Sequence, residues 1–452
     1  MVIASIDIQD GAVVQLKQGS ELVLRREDSA ALAEEFDRYG EVAVIDLDAA
    51  MGRGVPPYNL DMIRPLLRRA ECRVGGGIRN ADQAKELVSL GAKKIIAGSA
   101  VFRDPKKGAL PAGDSFAVNI PFLESLAGKI GRQRIIAAVD AAACVNQGGG
   151  SSGYEIVVDG WKTRTGLDLV EAAKAVEPYV SELLFTCVDR EGTMTGMDLK
   201  PVKLLRGAVS CRITAAGGVS SLDEVEALAA LGCDVQLGMA LYTGKVSLAA
   251  AFAASLNWKK GAAAPTDGAA PAGALLPLIV QSPEGQVLMT GFADREAVLE
   301  TFTRGRVCFH SRGRDRLWMK GETSGNTLVL KKLRADCDRD AVLAVAEPSG
   351  PVCHTGDFSC FSVERRYTWE TLRSIIAERL RNPAPGSYTA SLDDELVREK
   401  VQEEAGELCA AVTHEEVVWE AADLLYFATV LMTRKGVTTG EILDELDRRH
   451  KK

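Results

Sequence analysis

The chain has 452 residues, 46% hydrophobic and 26% charged, with 54 basic and 62 acidic side chains and a net charge of −8. Such a composition excludes disorder as the dominant state, and the acidic balance excludes a general nucleic-acid binder, which needs clustered Lys and Arg. No apolar run approaches the ~20 residues that span a bilayer, and Met1-Val2-Ile3-Ala4-Ser5-Ile6-Asp7 lacks the basic start of a secretory leader. A cytoplasmic protein with no membrane and no nucleic-acid partner is expected. The ten Cys are scattered, unlike a secreted disulfide framework. The four His are His310, His354, His414 and His450. Proton transfer in the first 309 residues must therefore use carboxylates, Cys, Lys or Tyr.

In chain order, residues 42–47 read as a buried strand, 82–90 as a helix and 94–97 as the next strand. Strands alternating with helices over about 250 residues suit a closed (β/α)8 barrel, with a doubly wound open sheet as the alternative. The segment also repeats. Gly75-Gly76-Gly77-Ile78-Arg79 and Gly98-Ser99 recur as Ala216-Gly217-Gly218-Val219 and Gly238-Met239, at offsets of 141 and 140, and Asp7 recurs as Asp140 at 133. A half-barrel duplicated in tandem explains the three offsets. Residues 259–273, rich in Ala, Pro and Gly, read as a linker between loosely tethered domains. The expected divisions are 1–258, 274–366 and 367–452: a barrel, a middle α+β metal-binding domain and an all-α domain.

Strand-end glycines before a helix let backbone N–H groups approach a phosphate. One such loop in each half implies a ligand with a phosphate at each end, held by Gly76, Gly77, Arg79, Gly98, Ser99, Gly217, Gly218, Gly238 and Met239. Asp7 and Asp140 would face each other across the catalytic end, where two carboxylates can serve as acid and base. These motifs, with Asp159-Gly160-Trp161 and Leu241-Tyr242-Thr243-Gly244-Lys245, resemble the isomerase branch of the histidine-biosynthesis barrel family. The resemblance covers nearly all of residues 1–256. It implies an Amadori rearrangement of a phosphoribosylformimino aminoaldose ribotide, with Asp7 as base, Asp140 as acid and Trp161 stacking on substrate. One departure concerns the acid. Where many isomerases carry Asp after a Thr, this chain has Cys187 after Thr186, and Asp189 matches the sister cyclase branch. Cys187 and Asp189 thus stay open beside Asp140.

In the middle segment, Asp336, Asp338 and Asp340 alternate, which places carboxylates on one side of the chain and suits Mg²⁺. Cys337, Cys353 and Cys360 suit zinc with an open position for water. With Trp318-Met319-Lys320-Gly321-Glu322-Thr323-Ser324-Gly325-Asn326, they resemble phosphoribosyl-AMP cyclohydrolase. That likeness implies hydrolytic opening of an adenine ring, the three Cys as zinc ligands, the three Asp as magnesium ligands, and a homodimer that shares the zinc site.

The last segment is helical throughout. Glu403 and Glu407 lie four apart on one face, and Glu420 and Asp423 three apart, in apolar surroundings where a metal would balance them. The stretch resembles phosphoribosyl-ATP pyrophosphohydrolase, which implies Mg²⁺-assisted hydrolysis with Glu403, Glu404, Glu407, Glu420 and Asp423 as the metal cluster. The three resemblances are consecutive steps of one pathway acting on phosphoribosyl nucleotides. They imply a trifunctional enzyme that dimerises through its middle and helical domains. The alternative is a bifunctional hydrolase whose barrel is non-catalytic, cyclase-like or a phosphoribosylanthranilate isomerase.

Overall fold

The computed structural model describes residues 1–17, 19–53, 59–103, 116–145, 151–259 and 274–450. Most of the proposed linker, residues 260–273, lies outside the described residues.

Eight parallel strands close into a barrel: β1 (Val2–Gln9), β2 (Val42–Asp46), β3 (Cys72–Gly75), β4 (Lys94–Ala97), β5 (Ile135–Ala138), β6 (Glu182–Thr186), β7 (Arg212–Ala216) and β8 (Asp234–Leu237). They neighbour one another in sequence order, and β8 pairs with β1 through Val2 opposite Val235. Because side chains alternate along a strand, Ile96, Ile136, Ala138, Leu184 and Ala216 form a small inner cluster. The outward residues build a larger core with the helices. The expected helix runs over Ala81–Ser89, capped by Asn80.

The duplication is visible in the insertions. A hairpin of strands Ala12–Lys17 and Glu21–Arg26 follows β1. A three-stranded sheet of Ala141–Val145, Ser151–Val158 and Thr163–Asp168 follows β5. The N-terminal end of the barrel is filled with charge. Arg73, fully buried on β3, reaches Glu182 at 2.5 Å and also binds Glu41. Lys94 reaches Glu41 at 3.3 Å and Glu182 at 3.1 Å. Burial alone would raise the Glu182 carboxyl, but Arg73 and Lys94 hold it at about 2.

The middle region has a four-stranded sheet from β9 (Leu276–Gln281), β10 (Val287–Ala293), β13 (Leu328–Ala335) and β14 (Val342–Pro348), in the order β10-β9-β14-β13. A hairpin, β11 (Cys308–Ser311) and β12 (Arg316–Met319), and helix α1 (Arg295–Arg304) complete it. The expectation of loose tethering does not hold for this pair of domains, which form one compact unit. Phe252, Leu256 and Trp258, at the end of the barrel, share a core with Leu276, Leu278 and Phe302. Tyr39 stacks on Phe302 at 4.3 Å. Lys332, nearly buried, bonds Asp37 at 2.8 Å and Glu71 at 2.9 Å. Apolar residues just ahead of the linker thus tie the domains whatever the linker's composition.

The second unit is helical: α2 (Trp369–Arg381), α3 (Asp394–Ala410), α4 (His414–Arg434) and α5 (Thr439–His450). Thr413 and Glu416 form a capping box at the start of α4. Ile376, Leu392, Val397, Phe427 and Val430 make its thin core.

Removing one partner of a buried ion pair strands the other charge. Arg73→Met should therefore lower the barrel's unfolding free energy by about 3–5 kcal/mol, read by denaturant titration, whereas a loss below about 1 kcal/mol, the size typical of an exposed pair, would show the cluster to be well solvated.

Candidate active sites

The C-terminal ends of the barrel strands enclose a cavity of about 530 Å³. Gly76, Gly77, Arg79, Gly98, Ser99, Trp161, Gly217, Gly218, Gly238 and Met239 all line it, with Asp7 and Asp140. The glycines occupy equivalent places. Gly76 (φ +105°) packs where a Cβ would strike the Asp46 carbonyl, and Gly217 (φ +97°) where one would strike the Cys187 carbonyl. Both the left-handed backbone and the contact demand glycine. Gly98 (φ −105°, ψ −115°) and Gly238 (φ −120°, ψ −100°) open short helical turns with matching backbones. Two matching glycine rims thus flank one chamber.

Four carboxylates line the chamber, Asp7, Asp140, Asp159 and Glu191, and three of them are shifted upward. Burial pushes Asp7 up to about 6, although Ser5 Oγ donates to it at 2.7 Å and favours its charge. Burial also raises Asp140, opposed by hydrogen bonds from Thr186 and from Trp161 Nε1, the latter at 2.9 Å. The third shifted acid is Glu191, which the sequence did not single out. Burial, with repulsion from Asp7 and Asp140, lifts it to about 7. The only sequence signal for Glu191 is its place in Arg190-Glu191-Gly192-Thr193, directly after the turn that follows β6. Cys187 and Asp189 are placed otherwise. Cys187 is buried, with its thiol pushed to about 11 by burial and Asp189. Asp189 is exposed and accepts from the Ala143 amide at 2.8 Å. Neither is among the residues lining the cavity. Trp161 (φ +67°) sits against Gly19 of the first-half hairpin, so it joins the two halves over the cavity as well as holding Asp140.

In the middle domain, carboxylate oxygens of Asp336, Asp338 and Asp340 lie within 4.8 Å of one another, as a hard cation requires. Cys353 and Cys360 are neighbours. Hydrogen bonds from Thr355 hold the Cys353 thiol below its ordinary value, while burial and Cys353 raise Cys360. Among the described residues Cys337 does not join them in one cluster within the chain. On the helical unit, Glu404 and Glu407 of α3 meet Glu420 of α4 within 4.8 Å. Burial and the charges of Glu407 and Asp423 raise Glu404, and burial and Glu407 raise Glu420. Glu403 is turned toward Lys400, 2.6 Å away.

A carboxyl whose proton is held more tightly in the folded than in the unfolded chain costs stability once both states ionise. For Glu191 that cost sets in between pH 4.5 and about 7. Glu191→Gln should therefore stabilise the barrel at pH 8 by about 3 kcal/mol and leave it nearly unchanged at pH 4. Equal effects at both pH values in denaturant titrations would refute the assigned shift.

Three family models match successive stretches of the chain. The family model described as histidine biosynthesis protein matches residues 1–247. The models of phosphoribosyl-AMP cyclohydrolase and phosphoribosyl-ATP pyrophosphohydrolase match residues 289–362 and 369–450. The chain is 42% identical over 191 residues to the histidine biosynthesis bifunctional protein HisIE of Bacillus subtilis (strain 168), covering 39% of this chain and 91% of that protein. It is 37% identical over 211 residues to the HisIE protein of Pyrococcus furiosus, with coverages of 43% and 96%. To that of Xanthomonas campestris pv. campestris it is 40% identical over 204 residues, with coverages of 44% and 94%. Each of those relatives matches less than half of this chain. No described helix is long and apolar enough to cross a membrane. With its barrel, cyclohydrolase and pyrophosphohydrolase domains in that order, the chain belongs to the histidine biosynthesis protein family and is a multidomain enzyme of that pathway.

Proposed function

We propose that the chain, working in the cytoplasm, carries out three consecutive steps. The helical unit hydrolyses phosphoribosyl-ATP to phosphoribosyl-AMP and pyrophosphate. The middle domain opens the adenine ring of phosphoribosyl-AMP. The barrel isomerises the resulting formimino aminoaldose ribotide to the aminoketose. The observation that carries the barrel assignment is the pairing of two equivalent glycine rims around buried carboxylates whose protons are held more tightly than usual. A ligand with a phosphate at each end would span the rims and leave its sugar carbons at the acids.

An Amadori rearrangement needs an acid to open the ribose ring at its oxygen and a base to remove the proton from C2. Asp7, at about 6, is ionised at neutral pH and serves as the base. Asp140 and Glu191 form the acid pair. Burial raises both, to about 7 for Glu191, while Trp161 and Thr186 orient the Asp140 carboxyl by their hydrogen bonds. A barrel serving only as a scaffold would not need three carboxylates in one cavity.

Thiolate-bound Zn²⁺ would supply a water activated at neutral pH. Cys353 and Cys360 would hold it, joined by Cys337 of the partner subunit, which makes the working unit a homodimer. Exposed apolar side chains of the helical unit, such as Val412 (88% exposed) and Trp419 (70%), support a contact there as well. Mg²⁺ would neutralise substrate phosphates and the acids beside them. Asp336, Asp338 and Asp340 in the middle domain, and Glu404, Glu407, Glu420 and Asp423 in the helical unit, would hold it, with Glu403 available once released from Lys400.

Phosphoribosyl-ATP supplied with Mg²⁺ and Zn²⁺ should yield pyrophosphate, then the formimino aldose, then the ketose, followed by chromatography. Asp7→Asn should slow only the last step, by roughly 10²–10⁴-fold, and leave both hydrolyses intact. Accumulation of the aldose with the unsubstituted chain would exclude the isomerase reading.

A further inference from the structure

The loop that bears Asp336, Asp338 and Asp340 is fastened to the barrel from behind. Arg339, between two of the acids, has φ +65°, a conformation that non-glycine residues seldom adopt without support. Its guanidinium leaves its own domain. Nη1 donates to the Ala229 carbonyl at 3.0 Å, and Nη2 to the Cys233 carbonyl at 2.8 Å and to Asp234 Oδ1 at 2.9 Å. Only 11% of the side chain is exposed. The loop backbone is held too. Asn257, two residues beyond the last barrel helix (Leu248–Ser255), donates its amide to the Arg339 carbonyl at 2.7 Å and its Nδ2 to the Asp338 carbonyl at 3.5 Å. Ala229, Cys233 and Asp234 precede or begin β8, so the anchor lies at the end of the barrel opposite the cavity.

We propose that the N-terminal end of the barrel is a positioning element for the cation site of the cyclohydrolase domain, with Arg339, seated on Asp234, as the positioning residue. The inference rests on the reading of Asp336, Asp338 and Asp340 as cation ligands. In the metal-free loop three carboxylates repel one another. A left-handed residue between two of them is the point where the turn relaxes and lets them splay. The guanidinium pulls that residue the other way, into three acceptors that the barrel fixes. The ligand set is thereby assembled before the ion arrives, and the ion binds without first ordering the loop.

The test is hydrogen exchange on the full-length chain, read on the peptide containing residues 336–341, without metal and through a Mg²⁺ titration. Exchange of the barrel strands serves as the internal check on folding. Arg339→Ala should speed exchange of this peptide in the metal-free chain and raise the Mg²⁺ concentration that half-protects it by roughly 10-fold or more. Arg339→Lys keeps a charge at Asp234 but loses donors to the two carbonyls, and should fall between. Asp338→Asn should abolish the protection by Mg²⁺. If Asp338→Asn leaves the titration unchanged, the cation reading itself is wrong. If it abolishes protection while both Arg339 variants exchange and titrate like the unsubstituted chain, the positioning role is overturned and the cation reading stands.

Discussion

Carboxylates gathered at close range repel, and each cluster in this chain persists only with positive charge or a proton between its members. How that demand is met separates structural acids from chemical ones. Glu41, Glu182 and Asp234 are answered by Arg73, Lys94 and Arg212, which hold their carboxyls down. Those acids are spent on the fold. Burial raises Asp7, Asp140 and Glu191 instead. Glu404 and Glu420 are likewise raised beside Glu407. The barrel acids line a recessed chamber and bind protons more tightly than free carboxyls do. The acids of the hydrolase domains sit where a cation can reach them. Perturbed acids of this kind mark functional sites more often than structural ones.

The ends of the barrel are used differently as a consequence. The C-terminal rim carries the glycine loops and the acids with raised pKa values. The other end carries the charge cluster and docks the cyclohydrolase domain through Tyr39, Phe302, Lys332 and Arg339. Among the described residues, Tyr39, Phe302, Lys332 and Arg339 are not in the lining of the cavity.

Much of this was legible in the sequence because duplication leaves a numerical trace. The offset of 141 pairs Gly76 with Gly217, and the structure puts both against the preceding strand's end. The same offset explains why Glu191 escaped notice: it maps onto Ala50, which lines the cavity but has no charge. A residue present in only one half gives no repeat signal, and its shift arises from burial beside Asp7 and Asp140, which no local pattern encodes. Arg339 escaped for a related reason. Within Asp336-Cys337-Asp338-Arg339-Asp340 it reads as a spacer, and its partners Ala229, Cys233 and Asp234 lie more than 100 positions away. The linker's composition suggested loose domains because apolar anchors such as Trp258 fall just ahead of it. The helical acids were readable from their spacing, although Glu403 proves to face Lys400.

The central division, protons in the barrel and cations elsewhere, is tested most directly by stripping the full-length chain of metal with a chelator and assaying each step on its own substrate. Expected is loss of pyrophosphate release from phosphoribosyl-ATP and of ring opening of phosphoribosyl-AMP, both restored by Mg²⁺ and Zn²⁺, while isomerisation of the formimino ribotide continues at its original rate. Isomerisation that falls and recovers with the two hydrolyses, or hydrolysis that persists in the stripped protein, would contradict it.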